Sequence, residues 1–437
     1  MAKVYPFRSL RYALSRIPVE KVVTQPYDKI SKQMQDRYYE LHPNNLIRIV
    51  LGRTEPGDAA DNNTYTRAVR TLKDWRQAGI IERLDSPAFF VYFQRFTIPG
   101  TSEVHVRKGF VGAAKLEDYD RKIVYPHERT LTGPKKDRLE LLRHTQTHFE
   151  QIFMLYEDPA RRIDQELEKA ARSKPDIEVE DEYGVVHTVW TVTDPATVGF
   201  IEEQMADKTL IIADGHHRYE TALAYRDDMR TKTGGRDPNA SYERMPMTFF
   251  NMDAPGLTIL PTHRVVRDLD SFDASELLKR ASEFFEVHPA PADAGSLRAA
   301  LKAAGEQQPT VGLCTDGGRR AALLSLKLSV NLAAAMPDLS EKLRRLDVVI
   351  LHRLLLEKCL GISEDAVKKQ TNITYFREMD KALKEVETGA QAAFLLNPTG
   401  LHQMRDVAYS GDVMPQKSTD FYPKVLSGLM MYSLDES

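Results

Sequence analysis

The chain has 437 residues, 42% hydrophobic and 28% charged, with a formal net charge of −3. That length permits two or three domains with a sizeable core, and the near-neutral charge supplies no global field for nucleic acid, so any anion recognition has to be local. The two cysteines, Cys314 and Cys359, form no CxxC or Cys/His cluster, which argues against a structural zinc site and fits a reducing, cytoplasmic setting. The opening MAKVYPFRSLRYALSR has no uninterrupted apolar core, so no secretory signal is expected, and the sequence holds no run of ~18 apolar residues, so no membrane span is expected.

In chain order, LIRIVLG (46–52) reads as a strand, and Tyr65, Ala68, Leu72 and Trp75 recur at helical spacing before Gly79. AFFVYFQRFTI and VHVRKGFVGAAKL flank Pro99-Gly100 and predict a hairpin. Pro134 suits the first turn of a helix over about 135–148. EYGVVHTVWTV and TLIIAD read as strands around a helix near 196–207, and a helix over 218–231 ends before Gly234-Gly235. From a boundary near 265, helices are expected at 273–285, 295–304, 338–360 and 376–388, with strands TVGLC, AALLSLK and AAFLLN. Alternating strands and helices place the chain in the α/β or α+β class with a mixed sheet, as two regions, 1–265 and 266–437.

The stretch TLIIADGHHRYETALAY (209–225) carries the chemistry. It runs from a buried strand into Asp214-Gly215-His216-His217-Arg218 and then into a helix. A helix N-terminus already presents unpaired N–H groups and partial positive charge. Cationic side chains gathered there point to a bound anion such as phosphate. Gly215 permits close approach or a positive φ; Asp214 would orient a histidine, hold magnesium or accept from a hydroxyl, and His217 joins it as a candidate catalytic group. His216 and His217 do not converge as an i, i+4 metal pair would.

Two further segments repeat the theme. In PHERTLTGPKKDR (126–138), Lys135, Lys136 and Arg138 crowd the first turn of a helix, after a loop with His127, Glu128 and Thr130. Glu128 is the candidate proton acceptor. In MPQKSTDFYPKVLSG (414–428), Lys417-Ser418-Thr419 lacks the glycine spacing of a phosphate loop, but the segment offers Lys417, Ser418, Thr419, Tyr422 and Lys424 to a pocket. Tyr27 and Asp28 in TQPYDKIS and His263-Arg264 in LPTHRVV are weaker candidates.

DGHHRYETAL resembles the Gly-x-His-Arg box of the ParB/sulfiredoxin superfamily, in which this turn binds nucleotide phosphates. Gly215, His217, Arg218, Tyr219 and Glu220 match the sulfiredoxin wording, but His216 replaces the catalytic cysteine, which excludes sulfiredoxin chemistry. No helix-turn-helix signature accompanies the box, so ParB-type DNA binding is not expected. The Asp-Gly-His-His-Arg wording is similar to that of free-serine kinases, whose glutamate base does not align by motif; Glu128 is an inference from this sequence alone. Over nearly its whole length the chain resembles the family called domain of unknown function 1015, in TQPYDKIS, NLIRIVLG, VYPHERTLTGPKKDRLELLRHT, DGHHRYETAL, AFLLNPT and MPQKSTDFYPKVLSG. The resemblance implies a ParB/sulfiredoxin-like nucleotide-binding region over 1–265 and a C-terminal α/β region contributing a pocket loop.

The expected function is nucleotide-dependent phosphoryl transfer to a small hydroxyl compound, free serine included, using ATP or ADP, or else CTP, with magnesium held by Asp214. Gly215, His216, His217, Arg218, Lys135, Lys136, Arg138, Lys417, Ser418 and Thr419 would surround the phosphates, which requires the three segments to share a cleft. The alternatives are a nucleotide-binding regulatory module with little turnover and a metal-dependent phosphatase.

Overall fold

The PG-centred pair of apolar runs forms the longest hairpin of the protein, Phe89–Thr97 against Val104–Lys115, with Gly100 at φ 80° in the turn. The computed structural model describes residues 1–128, 133–235 and 237–434. It divides into two units: Met1–Pro126, Thr130–Thr258 and Pro423–Ser437 form the first, and His127–Arg129 with Ile259–Tyr422 the second. The sequence places the boundary near 265. Strand His263–Val266, which straddles that point, pairs on both edges inside the second unit, and the tail from Pro423 returns to the first.

In the first unit, among the described residues, nine strands form one mixed sheet: β1 (Val4–Tyr5), β2 (Phe89–Thr97), β3 (Val104–Lys115), β4 (Val124–Tyr125), β5 (Ile152–Tyr156), β6 (Ile177–Glu180), β7 (Val186–Val192), β8 (Leu210–Asp214) and β9 (Arg244–Asn251). Their order is β4-β8-β5-β9-β3-β2-β7-β6, with β1 also on β3. The pairs β8–β4 and β9–β5 are parallel and the other pairs antiparallel. Side chains alternate across a strand. On one face Phe89, Val91, Phe110 and Phe249 join Ile163 and Leu167 of α3 (Arg162–Ala170), Ile201 and Met205 of α4 (Pro195–Met205), and Tyr219 and Ala222 of α5 (His216–Thr233) in one core. The helix at 64–77, α1, is capped by Asn63, whose side chain accepts from Tyr65 and Thr66. It buries the expected Ala68, Leu72 and Trp75. The helix α2 (Gly133–Thr145) meets α5 through Leu142 and Tyr225.

The second unit holds a six-stranded sheet of β10 (His263–Val266), β11 (Phe285–Ala290), β12 (Thr310–Thr315), β13 (Arg320–Leu326), β14 (Ile373–Phe376) and β15 (Ala392–Leu395), ordered β11-β13-β12-β15-β10-β14. Its core packs Leu297 and Leu301 of α6 (Ala294–Gly305) and Leu383 and Val386 of α7 (Met379–Glu387) with Val265, Ala393 and Leu395.

Two predicted elements differ. The run LIRIVLG forms a four-residue helix, Ile47–Val50, in place of a strand. Asn45 accepts from Ile47 N at 2.9 Å and donates to Lys21 O at 2.8 Å, which starts the turn; a short buried apolar run has no periodicity to separate the two states. The single helix expected over 338–360 is three pieces, Glu341–Arg344, Asp347–Ile350 and a π-helical Leu351–Cys359, broken where Leu346 is extended at ψ 129°.

Candidate functional site

β8 ends in a bulge between Ile212 and Asp214, which re-aims the last side chain of the strand. Gly215 follows at φ 93° and caps α5. A Cβ there would lie 3.0 Å from Nε, Cζ and Nη2 of Arg218, so the backbone favours glycine and the guanidinium would have to shift to admit a larger residue. His216, His217 and Arg218 occupy the first turn as the sequence predicted; the two histidines are half-buried and Arg218 is buried.

Asp214 is the centre of the corner. Its Oδ1 accepts from Lys424 Nζ at 2.6 Å and its Oδ2 from Arg218 Nη2 at 2.7 Å. Burial pushes the Asp214 pKa up, but the charges of Lys424, Arg218 and Lys29 outweigh it and hold the carboxyl well below the usual range. Arg218 also donates through Nη1 to Gln151 O. Burial lowers its pKa, and the charges of Glu150, Asp214 and Asp28 reverse that, leaving it raised. The cations at this helix start are therefore balanced by carboxylates of the protein, which corrects the premise that only an external anion keeps them there. The same holds for Lys135, which pairs with Glu220 of α5. Arg138 pairs with Asp137, donates to Val50 O at 2.6 Å and lies 4.2 Å over the Tyr27 ring. Lys136 is exposed. Arg138, Arg218 and Glu150 line a common cavity of about 40 Å³, room for a water molecule.

Several members of this corner had no sequence signal. Glu150 accepts from Tyr27 N and from Ser427 Oγ, each at 2.9 Å. Arg107, 1% exposed, lies 4.5 and 4.6 Å over the Phe153 and Phe250 rings. It donates to Gln94 Oε1 and Pro423 O, while Gln94 donates to Lys424 O at 2.8 Å. Burial brings the Arg107 pKa down to about 9. This pair fixes the backbone from which Lys424 reaches Asp214.

A magnesium ion does not fit Asp214 in this arrangement. Each carboxylate oxygen meets a cation, and a divalent ion would have to displace Lys424 or Arg218 against their charge. Among the described residues no group of three or more His, Cys, Asp or Glu side chains is placed to hold a metal.

In the second unit, Glu128 is half-buried and its carboxylate accepts from Lys417 N at 2.7 Å and Ser418 N at 3.2 Å. Burial pushes its pKa up, against the Lys417 charge and the N–H groups of Lys417, Ser418 and Thr419. His127 Nε2 lies 2.7 Å from Thr419 Oγ1, and Ser418 Oγ donates to Pro415 O at 2.6 Å. Glu128, Lys417, Ser418 and Thr419 are thus brought together, as a turn wrapped on a carboxylate. Thr130 lies outside the described residues.

A family model described as a protein of unknown function (DUF1015) matches residues 4–349, most of the chain. The chain belongs to the DUF1015 family. No curated protein matches this DUF1015 member. Solved structures similar to it include a free serine kinase in complex with AMP, at 12% identity and TM-score 0.35, covering 70% of this chain and 89% of that one. A conserved hypothetical protein from Pyrococcus furiosus is similar at 13% identity and TM-score 0.34, covering 70% and 92%. SbnI with a C-terminal truncation, from Staphylococcus aureus, is similar at 9% identity and TM-score 0.35, covering 75% and 90%. No helix among the described residues of the DUF1015 chain is long and apolar enough to cross a membrane.

Proposed function

We propose that this protein binds a nucleotide through its phosphates at the Asp214–Arg218 corner and transfers a phosphoryl group to a small hydroxyl compound, free serine included. The observation that carries the reading is Gly215 at φ 93°, opening α5 beside Arg218 and Lys424. Backbone N–H groups of an 18-residue helix and two buried cations converge there. The likeness of Asp-Gly-His-His-Arg to the phosphate-binding box of the ParB/sulfiredoxin superfamily supports the same assignment. Gly215, His216, His217 and Arg218 would hold ATP or ADP, with Lys424 and Lys29 adding charge. Phosphoryl transfer depends mainly on positioning and charge neutralisation, and Arg218 and Lys424 would supply the charge by sharing their contact with Asp214 with the phosphates.

A second reading, a nucleotide-binding regulatory module with little turnover, is favoured by the engagement of Glu128. A carboxylate wrapped by backbone N–H groups is poorly placed to take a proton from an acceptor.

Titration calorimetry with ATP, ADP and CTP, with and without magnesium, tests the site. Detection of phosphoserine after incubation with serine then tests the transfer. Binding with phosphoserine formed supports the transferase; binding without product, across a panel of hydroxyl compounds, selects the regulatory module. Absence of binding by all three nucleotides overturns both.

A further inference from the structure

The turn Lys417-Ser418-Thr419 lacks the spacing of a phosphate loop, yet its backbone does what such a loop does. Lys417 adopts φ 59°, in the left-handed region that a non-glycine side chain enters only when the surroundings hold it there. Successive N–H groups then converge, the arrangement that makes an anion nest. The side-chain hydroxyls take other partners: Ser418 donates to Pro415 O at 2.6 Å, and Thr419 meets His127 at 2.7 Å. The donors to the Glu128 oxygens are main-chain groups, 2.7 Å from Oε1 and 3.2 Å from Oε2.

Arg264 is 1% exposed and donates through Nη2 to Lys417 O at 2.9 Å; burial brings its pKa down to about 10, against the charges of Tyr375 and Glu128, which favour the cation. Its Nε has no hydrogen-bond partner. Lys417 adds a second positive charge near the carboxylate. N–H groups of the turn left without the carboxylate would be buried donors with no acceptor, so the turn requires an acceptor at this point.

We propose that the Lys417–Thr419 turn is a binding site for a carboxylate, that Glu128 is its resident ligand, and that a small carboxylate from solution occupies the site when that side chain is removed. Glu128 is then a positioning residue that fixes the turn through the N–H groups of Lys417 and Ser418. This assignment does not require a nucleotide at the Asp214–Arg218 corner, and its test reads stability, not nucleotide binding.

The test is rescue of Glu128→Ala by acetate or formate. The variant is expected to melt below the wild type. Acetate should raise its Tm saturably by about 2–4 °C, the response to roughly 1 kcal/mol of ligand binding in a unit of this size, beyond sodium chloride at equal ionic strength and without moving the wild type. Glu128→Gln fills the same space without the charge and should be destabilised yet show no rescue. A chloride effect equal to that of acetate, or an equal shift in the wild type, overturns the proposal. Where Glu128→Ala does not fold, hydrogen exchange in the wild type decides: the amides of residues 417–419 should be protected at neutral pH, and exchange at the unprotected rate overturns it.

Discussion

Asp214 and Lys424 stand 210 residues apart in sequence and 2.6 Å apart in the structure, joined by a nearly buried ion pair. Removing one partner of such a pair leaves an uncompensated charge. Lys424→Met should therefore destabilise the protein, by less than the ~3–5 kcal/mol of a buried charge left with no partner, since Arg218 and the Lys29 charge still face Asp214. Asp214→Asn in the same background should recover part of that loss, with a coupling of about 1–3 kcal/mol. Urea denaturation of the two single variants and the double variant measures it; additive losses would show that the pair is energetically idle.

Arg218→Ala removes the cation closest to the start of α5 while leaving Asp214 its contact with Lys424. A charge-assisted hydrogen bond contributes about 1.5–3 kcal/mol, so nucleotide affinity should fall more than tenfold. Calorimetry on a variant whose circular dichroism matches the wild type is the check. Undiminished affinity would remove the corner from nucleotide binding and leave Arg218 a partner of Asp214 and Gln151 only.

Gly215→Ala tests whether the corner is built around glycine. The backbone sits at φ 93°, and the added methyl would meet the Arg218 guanidinium at 3.0 Å. Strain of this kind costs about 1–3 kcal/mol. A lowered denaturation midpoint is expected, smaller in an Arg218→Ala background where the methyl finds room. Equal losses in both backgrounds would assign the whole effect to the backbone.

What the sequence made legible follows from range. The strand-turn-helix of 209–233 is local: an apolar run, Asp-Gly, then helical spacing, and the structure has β8, Gly215 and α5 there. The hairpin around Pro99-Gly100 is local too. Lys424 could be named as a pocket residue, but its partner could not, because nothing in a Pro-Lys dipeptide at 423–424 points to a strand end two hundred residues earlier. Gln94 and Arg107 are polar residues in strand-like runs, with nothing local to mark them. Their cross-strand register places them together, and the returning segment buries them. Glu128 is a carboxylate in a basic loop, which suggests chemistry; its contact with the amides of residues 417 and 418 depends on a turn conformation that residue types do not reveal.

His263 predicts an acid limit on stability. It is 1% exposed, and burial, helped by the charges of Arg264 and Arg298, brings its pKa from 6.5 down to about 3. Its Nδ1 accepts from Leu396 N at 3.2 Å, which requires the unprotonated ring nitrogen. Between pH 6.5 and 3 the unfolded chain binds a proton here that the folded chain does not, so stability rises with pH across that window. The contribution is complete above 6.5 and is lost progressively as the pH falls toward 3, by up to about 1.4 kcal/mol per unit. Denaturant midpoints at pH 7, 6, 5 and 4 should decline, and His263→Gln should flatten the decline while lowering stability at pH 7. An identical slope in the variant would show that His263 is already protonated in the fold, and the acid sensitivity would then belong to other buried groups.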